Sequence, residues 1–244
     1  MKSDAFNGER PITKGPGGQF PHHRGIFIGY NRMTVGGKSY DLWHMSGGPQ
    51  VHQKFLDQQA GADQARFTSL VHWNAKDGQT LLEEERTFVF HAVDAPGLVK
   101  VDVTSKLKAV GGDAVLGGDP EHAGIQYRPA NELDKKQSRY LFPAEGNDPR
   151  RDHDLPWAAL RYVLDGKTYS VVQLNAPTNP KGTVWSAYRD YGRFGAFPKA
   201  EIATGQTLTL DYRFLVMAGE LPDREQIQKH YDEYTSQQAP QPDS

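Results

Sequence analysis

The sequence predicts an all-β protein: a single β-sandwich with one C-terminal α-helix, with the galactose-mutarotase-type supersandwich as the finer candidate. Three observations carry this reading. Most of the chain consists of short runs rich in β-branched and aromatic residues with period-two alternation. Gly, Pro and Asp-Gly punctuate those runs at hairpin spacing. Only one stretch, near the C-terminus, has helical periodicity.

The elements follow in order. "RGIFIGY", "YDLWHM" and "QVHQKF" read as strands, and "SGGP" between the last two reads as a hairpin turn that would bring His44 and His52 together across the pair. "ARFTSLVHW" and "TLLEEERTFVFHAV" flank Asp77-Gly78, a strong hairpin signal. The second run places Leu82, Glu84, Arg86, Phe88 and Phe90 on one face and Leu81, Glu83, Glu85, Thr87 and Val89 on the other. In "LVKVDVTSKLKAV", Val99, Val101, Val103, Ser105 and Leu107 face inward. Residues 111–119 are Gly- and Asp-rich and read as a loop, "HAGIQYR" as a strand, and 130–156 as a long polar excursion of the kind that covers sites. "WAALRYVLDGKTYSVVQL" is a hairpin around Asp165-Gly166; "TVWSAY", "GRFGAF" and "TLTLDYRFLVMAG" are further strands. Asp223 caps a helix in capping-box spacing with Gln226, and Ile227, Tyr231 and Tyr234 form its apolar stripe. No linker divides the chain, so residues 1–235 are expected to form one domain and 236–244 a disordered polar tail.

Composition narrows the function classes. The 244 residues carry Lys+Arg 28 against Asp+Glu 30, which leaves no cationic excess for a phosphate backbone, so no nucleic-acid partner is expected. No run reaches the ~20 apolar residues of a spanning helix, so no membrane partner is expected either. With no cysteine, disulfides, thiolate ligands and Cys nucleophiles are absent. The start lacks an apolar leader segment; the expectation is a cytoplasmic protein, or a secreted or periplasmic one whose leader has been removed. A homo-oligomer stays open. No Walker loop, Rossmann fingerprint or G-x-S-x-G elbow occurs.

Chemistry concentrates in two places. "QFPHHRG" sets His22, His23 and Arg24 at a strand mouth; adjacent side chains of an extended segment diverge, so one imidazole can face a cleft while the other packs. His44 and His52 follow, and Glu85 with Arg86 stands in the long strand; Glu83 and Glu84 read as its solvated half, and His122 opens a strand after a loop. The second concentration is 175–197, where Asn179, Trp185, Arg189 and Tyr191 could bind hydroxyls or stack on a sugar ring. The histidine spacing matches no recognised metal motif, so acid–base chemistry is expected, with no metal and no cofactor.

Together "GPGGQFPHHRGIFIGYN", "DLWHM", "VHQKF", "LLEEERTFVF" and "APTNP…YRDYGRFGAFP" resemble the methane-oxygenase PmoA-like family, a soluble bacterial domain of unknown function, from about Lys14 to Met217. The resemblance implies a β-rich protein that accompanies sugar oxidoreductases and isomerases, and it carries site roles onto His22, His23, Arg24, His52, Glu85, Arg86, Arg189 and Tyr191. Two departures stand out: members usually have more strands before the His-His-Arg motif, and Trp185 is followed by "SAYR", where many members have a histidine. Methane oxidation is rejected, because that subunit is a membrane protein. The resulting expectation is a carbohydrate-active enzyme, a glycoside lyase, hydrolase or sugar epimerase. Its small-molecule carbohydrate would be a sugar or oxidised (keto) glycoside, with His22, His23, Arg24, His52 and Glu85 catalytic and His44, Arg86, Asn179, Trp185, Arg189 and Tyr191 binding. The alternative is a non-catalytic carbohydrate-binding module.

Overall fold

A computed structural model describes residues 11–238, and the expectations for the first ten residues and for 239–244 lie outside that range. Sixteen strands and one α-helix make up the described residues. The largest sheet has eight antiparallel strands in the order β10-β11-β12-β16-β7-β6-β5-β4, comprising Arg139–Leu141, Trp157–Leu164, Lys167–Asn175, Thr207–Ala218, Gly97–Ala109, Thr80–His91, Gln64–Asn74 and Gln50–Ala60. Two four-stranded sheets accompany it. One runs β1-β9-β14-β13, formed by Ile26–Tyr30, Ala123–Tyr127, Phe194–Phe197 and Val184–Trp185. The other runs β15-β8-β2-β3, formed by Ala200–Ile202, Ala114–Gly117, Arg32–Val35 and Lys38–Tyr40.

Period-two patterning makes this a layered protein. Val101, Val103 and Leu107 of β7 and Tyr212, Phe214 and Val216 of β16 share one core with Ile28 and Tyr30 of β1, Met33 of β2, Leu116 of β8 and Ile125 of β9. One face of the large sheet thus packs on both small ones. On the opposite face Trp157, Ala159, Val172, Leu174 and Leu215 hold the helix α1, Arg224–Gln238, through Ile227 and Tyr234. The capping box is formed: Gln226 N donates to Asp223 Oδ1 at 2.8 Å and Asp223 N to Gln226 Oε1 at 3.1 Å. The helix continues through Gln238, past the expected tail boundary at 236.

Four local readings need correction. "YDLWHM" is not a strand; residues 41–49 form an irregular loop, and "SGGP" does not turn a hairpin. Gly48 adopts φ +147° where the loop runs against β5, and a Cβ there would collide with the Asn74 carbonyl. His52 instead pairs with Val71 of β5, away from His44. The loop expected at 111–119 contains β8, whose four residues pair with β2 and β15. β2, β3 and β15, each three or four residues, gave no sequence signal.

The fourth correction is Glu84, read from sequence as solvated. It is fully buried. Its carboxylate accepts hydrogen bonds from Trp73 Nε1 (2.7 Å), Ser105 Oγ (2.6 Å), Arg86 Nε (2.9 Å) and Arg86 Nη2 (2.6 Å), tying β5, β6 and β7 together. Burial alone would raise its pKa; the Arg86 charge and these donors outweigh burial and hold it below the usual carboxylate value. The folded state therefore loses Glu84's contribution in acid, as pH falls through that depressed pKa, and keeps it above the ordinary glutamate range.

Removing one partner of such a buried pair leaves the other uncompensated. Glu84→Ala is expected to cost about 3–5 kcal/mol in urea denaturation, while exposed Glu85→Ala on the next residue stays within about 0.5 kcal/mol. Equal losses for the two variants would show that the Glu84 cluster does not anchor the sheet.

Candidate active site

Three imidazoles meet beside one mouth of the sandwich. His22 lies in the turn before β1, His44 in the loop after β3, and His122 in the loop between β8 and β9. Ring centroids are 5.1 Å apart for His22 and His44 and 5.0 Å apart for His44 and His122. The indole of Trp43, almost wholly buried, lies beneath, 6.3 Å from His22 and 6.0 Å from His122.

Two of these rings are held in the same way. His44 Nδ1 lies 2.8 Å from Asp41 Oδ2, and His122 Nδ1 lies 2.8 Å from Asp119 Oδ1. Each aspartate also caps its own turn: Asp41 Oδ1 accepts from the His44 amide (2.9 Å) and the Trp43 amide (3.1 Å), and Asp119 Oδ1 accepts from the Glu121 amide (3.1 Å). Asn31 Nδ2 donates to Asp119 Oδ2 at 2.7 Å. Burial pulls both carboxyls up, but hydrogen bonds, from His44 to Asp41 and from Asn31 and His122 to Asp119, hold each below the ordinary value. An ionised carboxylate can only accept, so Nδ1 carries a proton in both rings.

His22 differs. Burial first, then the neighbouring His44 and His122, lower its pKa to about 4, so it is neutral at ordinary pH. Its other side lines a cleft of about 260 Å³ with Arg24, Phe27, Trp43, Gln50, His52 and Arg86. Arg86 Nη2 donates to Gln50 Oε1 at 2.8 Å as well as to Glu84, which fixes the guanidinium at the cleft wall.

The residues expected at the site separate accordingly. His22, Arg24, His52 and Arg86 share the cleft, and His44 joins His22 from the adjacent loop. His23 does not reach it: it is 3% exposed, stacked at 5.2 Å on Phe27 and at 5.2 Å from Phe20, and burial with the nearby Arg193 lowers its pKa to about 2. Glu85 points from the opposite face of β6, beside Glu83, Lys106 and Lys108, because it is one residue out of phase with Glu84 and Arg86. Asn179 is buried as a strut, bonding Asn175 Oδ1 and both backbone groups of Asp211. Trp185 is fully buried and donates to the Leu155 carbonyl at 3.1 Å, so it is core rather than a sugar platform. Arg189 pairs with Glu121, and Tyr191 packs 5.8 Å from Phe20 and under Arg128. Among the described residues no group of three or more His, Asp or Glu side chains is arranged to hold a metal ion.

Sequence reasoning noted His122 without giving it a role, and passed over Asp41, Trp43, Asp119 and Arg193. A signal for all but Arg193 was present: Asp41-Leu-Trp-His44 and Asp119-Pro-Glu-His122 repeat one Asp-x-x-His spacing, each at a loop that feeds a strand.

Comparisons with known proteins place the chain by family. It belongs to the Family of unknown function (DUF6807), whose model matches residues 5–232. This corrects the resemblance to a methane-oxygenase PmoA-like family, since nothing in the match indicates one. No curated protein matches the chain. Solved structures of similar shape include a mutant heparan sulfate lyase from Pedobacter heparinus, with TM-score 0.40 and 9% identity over 79% of this chain and 24% of that one. A protein from Synechocystis has TM-score 0.44 and 12% identity over 80% and 78%. A galactose mutarotase-like protein from Clostridium acetobutylicum has TM-score 0.40 and 9% identity over 80% and 79%. The chain spans about a quarter of the lyase and of a kojibiose phosphorylase from the human microbiome that it also matches. These likenesses concern β architecture and assign no activity.

The depressed value for His22 can be read directly. Its imidazole carbon resonance is expected to stay at the neutral position from pH 8 down to 5.5 and to move only near pH 4. The unfolded chain takes up that proton near 6.5, so His22 destabilises the fold progressively as pH falls from about 6.5 towards 4. A His22 midpoint at or above 6.5 would show that the ring is solvated and outside the cluster.

Proposed function

We propose that this member of DUF6807 is a carbohydrate-active enzyme that uses its imidazole cluster for acid–base chemistry on a sugar or keto-glycoside. The observation that carries the reading is the pair of aspartate–histidine dyads, His44–Asp41 and His122–Asp119, whose rings lie 5.0 Å apart. In each dyad the carboxylate fixes the tautomer and stabilises the imidazolium that forms when Nε2 takes a proton. One ring can then remove a proton from the sugar while the other, protonated, returns one to a departing oxygen. Both dyads approach from one side of the mouth. That arrangement suits a syn elimination, in which the proton and the departing oxygen leave from one face, better than a two-base epimerisation, which needs groups on opposed faces. Hydrolysis remains compatible.

The cleft supplies the rest. Its volume of about 260 Å³ accommodates one pyranose ring. Phe27 and Trp43 would give the ring an apolar wall, Gln50 and His52 offer hydrogen-bonding groups to hydroxyls, and Arg24 and Arg86 line the same cleft with positive charge for an oxygen that turns negative. His22, kept neutral, can accept or donate a hydrogen bond without adding charge.

Turnover on a panel of sugars and 3-keto-glycosides, followed by NMR of the products, tests the assignment. His44→Ala and His122→Ala are each expected to lower kcat by about 10²–10⁴-fold with the fold retained, since His44 is an exposed loop residue and His122 only half-buried. Full turnover in both variants would remove the dyads from the chemistry. Binding of sugars with no turnover across the panel would favour a non-catalytic binding module.

A further inference from the structure

Of the three arginines that are almost wholly buried, Arg213 has an acid, Asp102. Arg128 and Arg193, 2% and 1% exposed, have none. Both stand next to the mouth just described. Arg193 lies 5.5 Å over the ring of Trp43, and Arg128 lies 4.8 Å over Tyr191.

Their hydrogen bonds are to neutral groups. Arg193 donates to Gln126 Oε1 (2.7 Å), Ser186 Oγ (3.3 Å) and Tyr191 Oη (3.2 Å), and its Nη2 makes no hydrogen bond among the described residues. Arg128 donates to the Tyr191 carbonyl (2.7 Å), the Pro129 carbonyl (3.1 Å) and Asn131 Oδ1 (2.7 Å), while its buried Nε has no partner among the described residues. Burial and the neighbouring Arg193 lower Arg128 to about 10, so it still carries its charge at neutral pH. Glu132 acts on it only through space.

Two more cations complete the group. Lys14, 5% exposed, donates to the carbonyls of Gly15 and Gly17. Arg24, at the cleft wall, donates through Nε to the Pro21 carbonyl at 3.2 Å, and its two terminal amino groups make no hydrogen bond among the described residues. None of these four cations has an ion-pair partner among the described residues. Four of the acids nearby are committed elsewhere, Asp41 to His44, Asp119 to His122, Glu121 to Arg189 and Glu84 to Arg86, and Glu132 reaches Arg128 only through space. Burying a charge without a counter-charge is costly, and the cost is recovered when an anion arrives. A low-dielectric wall also focuses the positive field into the cleft.

We infer that the ligand of this cleft is an acidic sugar, whose carboxylate or sulfate ester is received by the Arg24 fork in the field of Arg128, Arg193 and Lys14. This rests on the sugar-binding reading above and names the substrate class. A planar guanidinium fork matches either anion bidentately.

Titration calorimetry with D-glucuronate, D-galacturonate, D-glucose, D-galactose and glucose 6-sulfate, at low and at high salt, tests it. At least one acidic sugar is expected to bind ten-fold or more tighter than its neutral parent, with the preference reduced by salt and lost in Arg24→Gln. Whether the uronates or the sulfated sugar gains most distinguishes the two anions. Arg193→Lys is expected to keep the preference and Arg193→Gln to weaken it; if Arg193→Gln does not fold, the exposed Arg24→Gln decides. Equal binding of neutral and acidic sugars, or a preference untouched by Arg24→Gln, overturns the acidic-sugar assignment while leaving the dyad chemistry to its own test. Failure of every sugar to bind overturns both.

Discussion

The carboxylate of Glu84 organises more of this molecule than any other single group. It lies fully buried between the large sheet and the small sheet containing β1, and it accepts hydrogen bonds from three strands. A buried carboxylate left unmatched would be untenable, so Trp73, Ser105 and Arg86 must each be in place. One of those donors, Arg86, then reaches on to Gln50 and forms part of the cleft wall. The interior thus sets the geometry of the surface: the interaction that holds β5, β6 and β7 together also fixes a guanidinium at the cleft wall.

The mouth of the cleft follows a different logic. Its histidines sit in loops, where backbone geometry is least constrained, and the loops of His44 and His122 each supply their own brace. Asp41 and Asp119 use one oxygen to fix the turn and a second contact to fix the imidazole three residues on. Loop rigidity and side-chain orientation therefore come from the same residue. Around them the acids Asp41, Asp119 and Glu121 are taken up by His44, His122 and Arg189, while Arg24, Arg128 and Arg193 have no ion-pair partner among the described residues.

Much of the fold was legible because it is periodic. The alternation in residues 97–109 gave the inward face of β7 correctly, the Asp165-Gly166 turn gave the β11–β12 hairpin, and Asp223 with Gln226 gave the helix start. What was illegible is what only tertiary contact decides. β8 hides in a Gly-rich stretch because its pairing with β2 and β15, not its own composition, makes it a strand. "YDLWHM" has strand composition yet forms a loop, because Asp41 caps a turn there. Strand phase put Glu84 and Arg86 on one face, but which of three consecutive glutamates is buried depends on Trp73 and Ser105 arriving from neighbouring strands. At the site, His22, Arg24, His52 and Arg86 were named from sequence, whereas the buried Arg193 and Arg128 were not, since an arginine in the interior looks like any other in a list of residues.

The small sheets pair strands that are far apart along the chain: Ile26 opposite Tyr127, Met33 opposite Leu116, Phe194 opposite Tyr127. These pairings are what carry His22, His44 and His122 to one place. The consequence is kinetic. Each pairing closes a long loop, and the entropy of closure must be met before any contact rewards it. A ribosome releasing this chain from its N-terminus would have made His22 and Arg24 long before their partners around Arg193 existed. The site has high contact order by construction, since its imidazoles come from residues as far apart in the chain as His22 and His122.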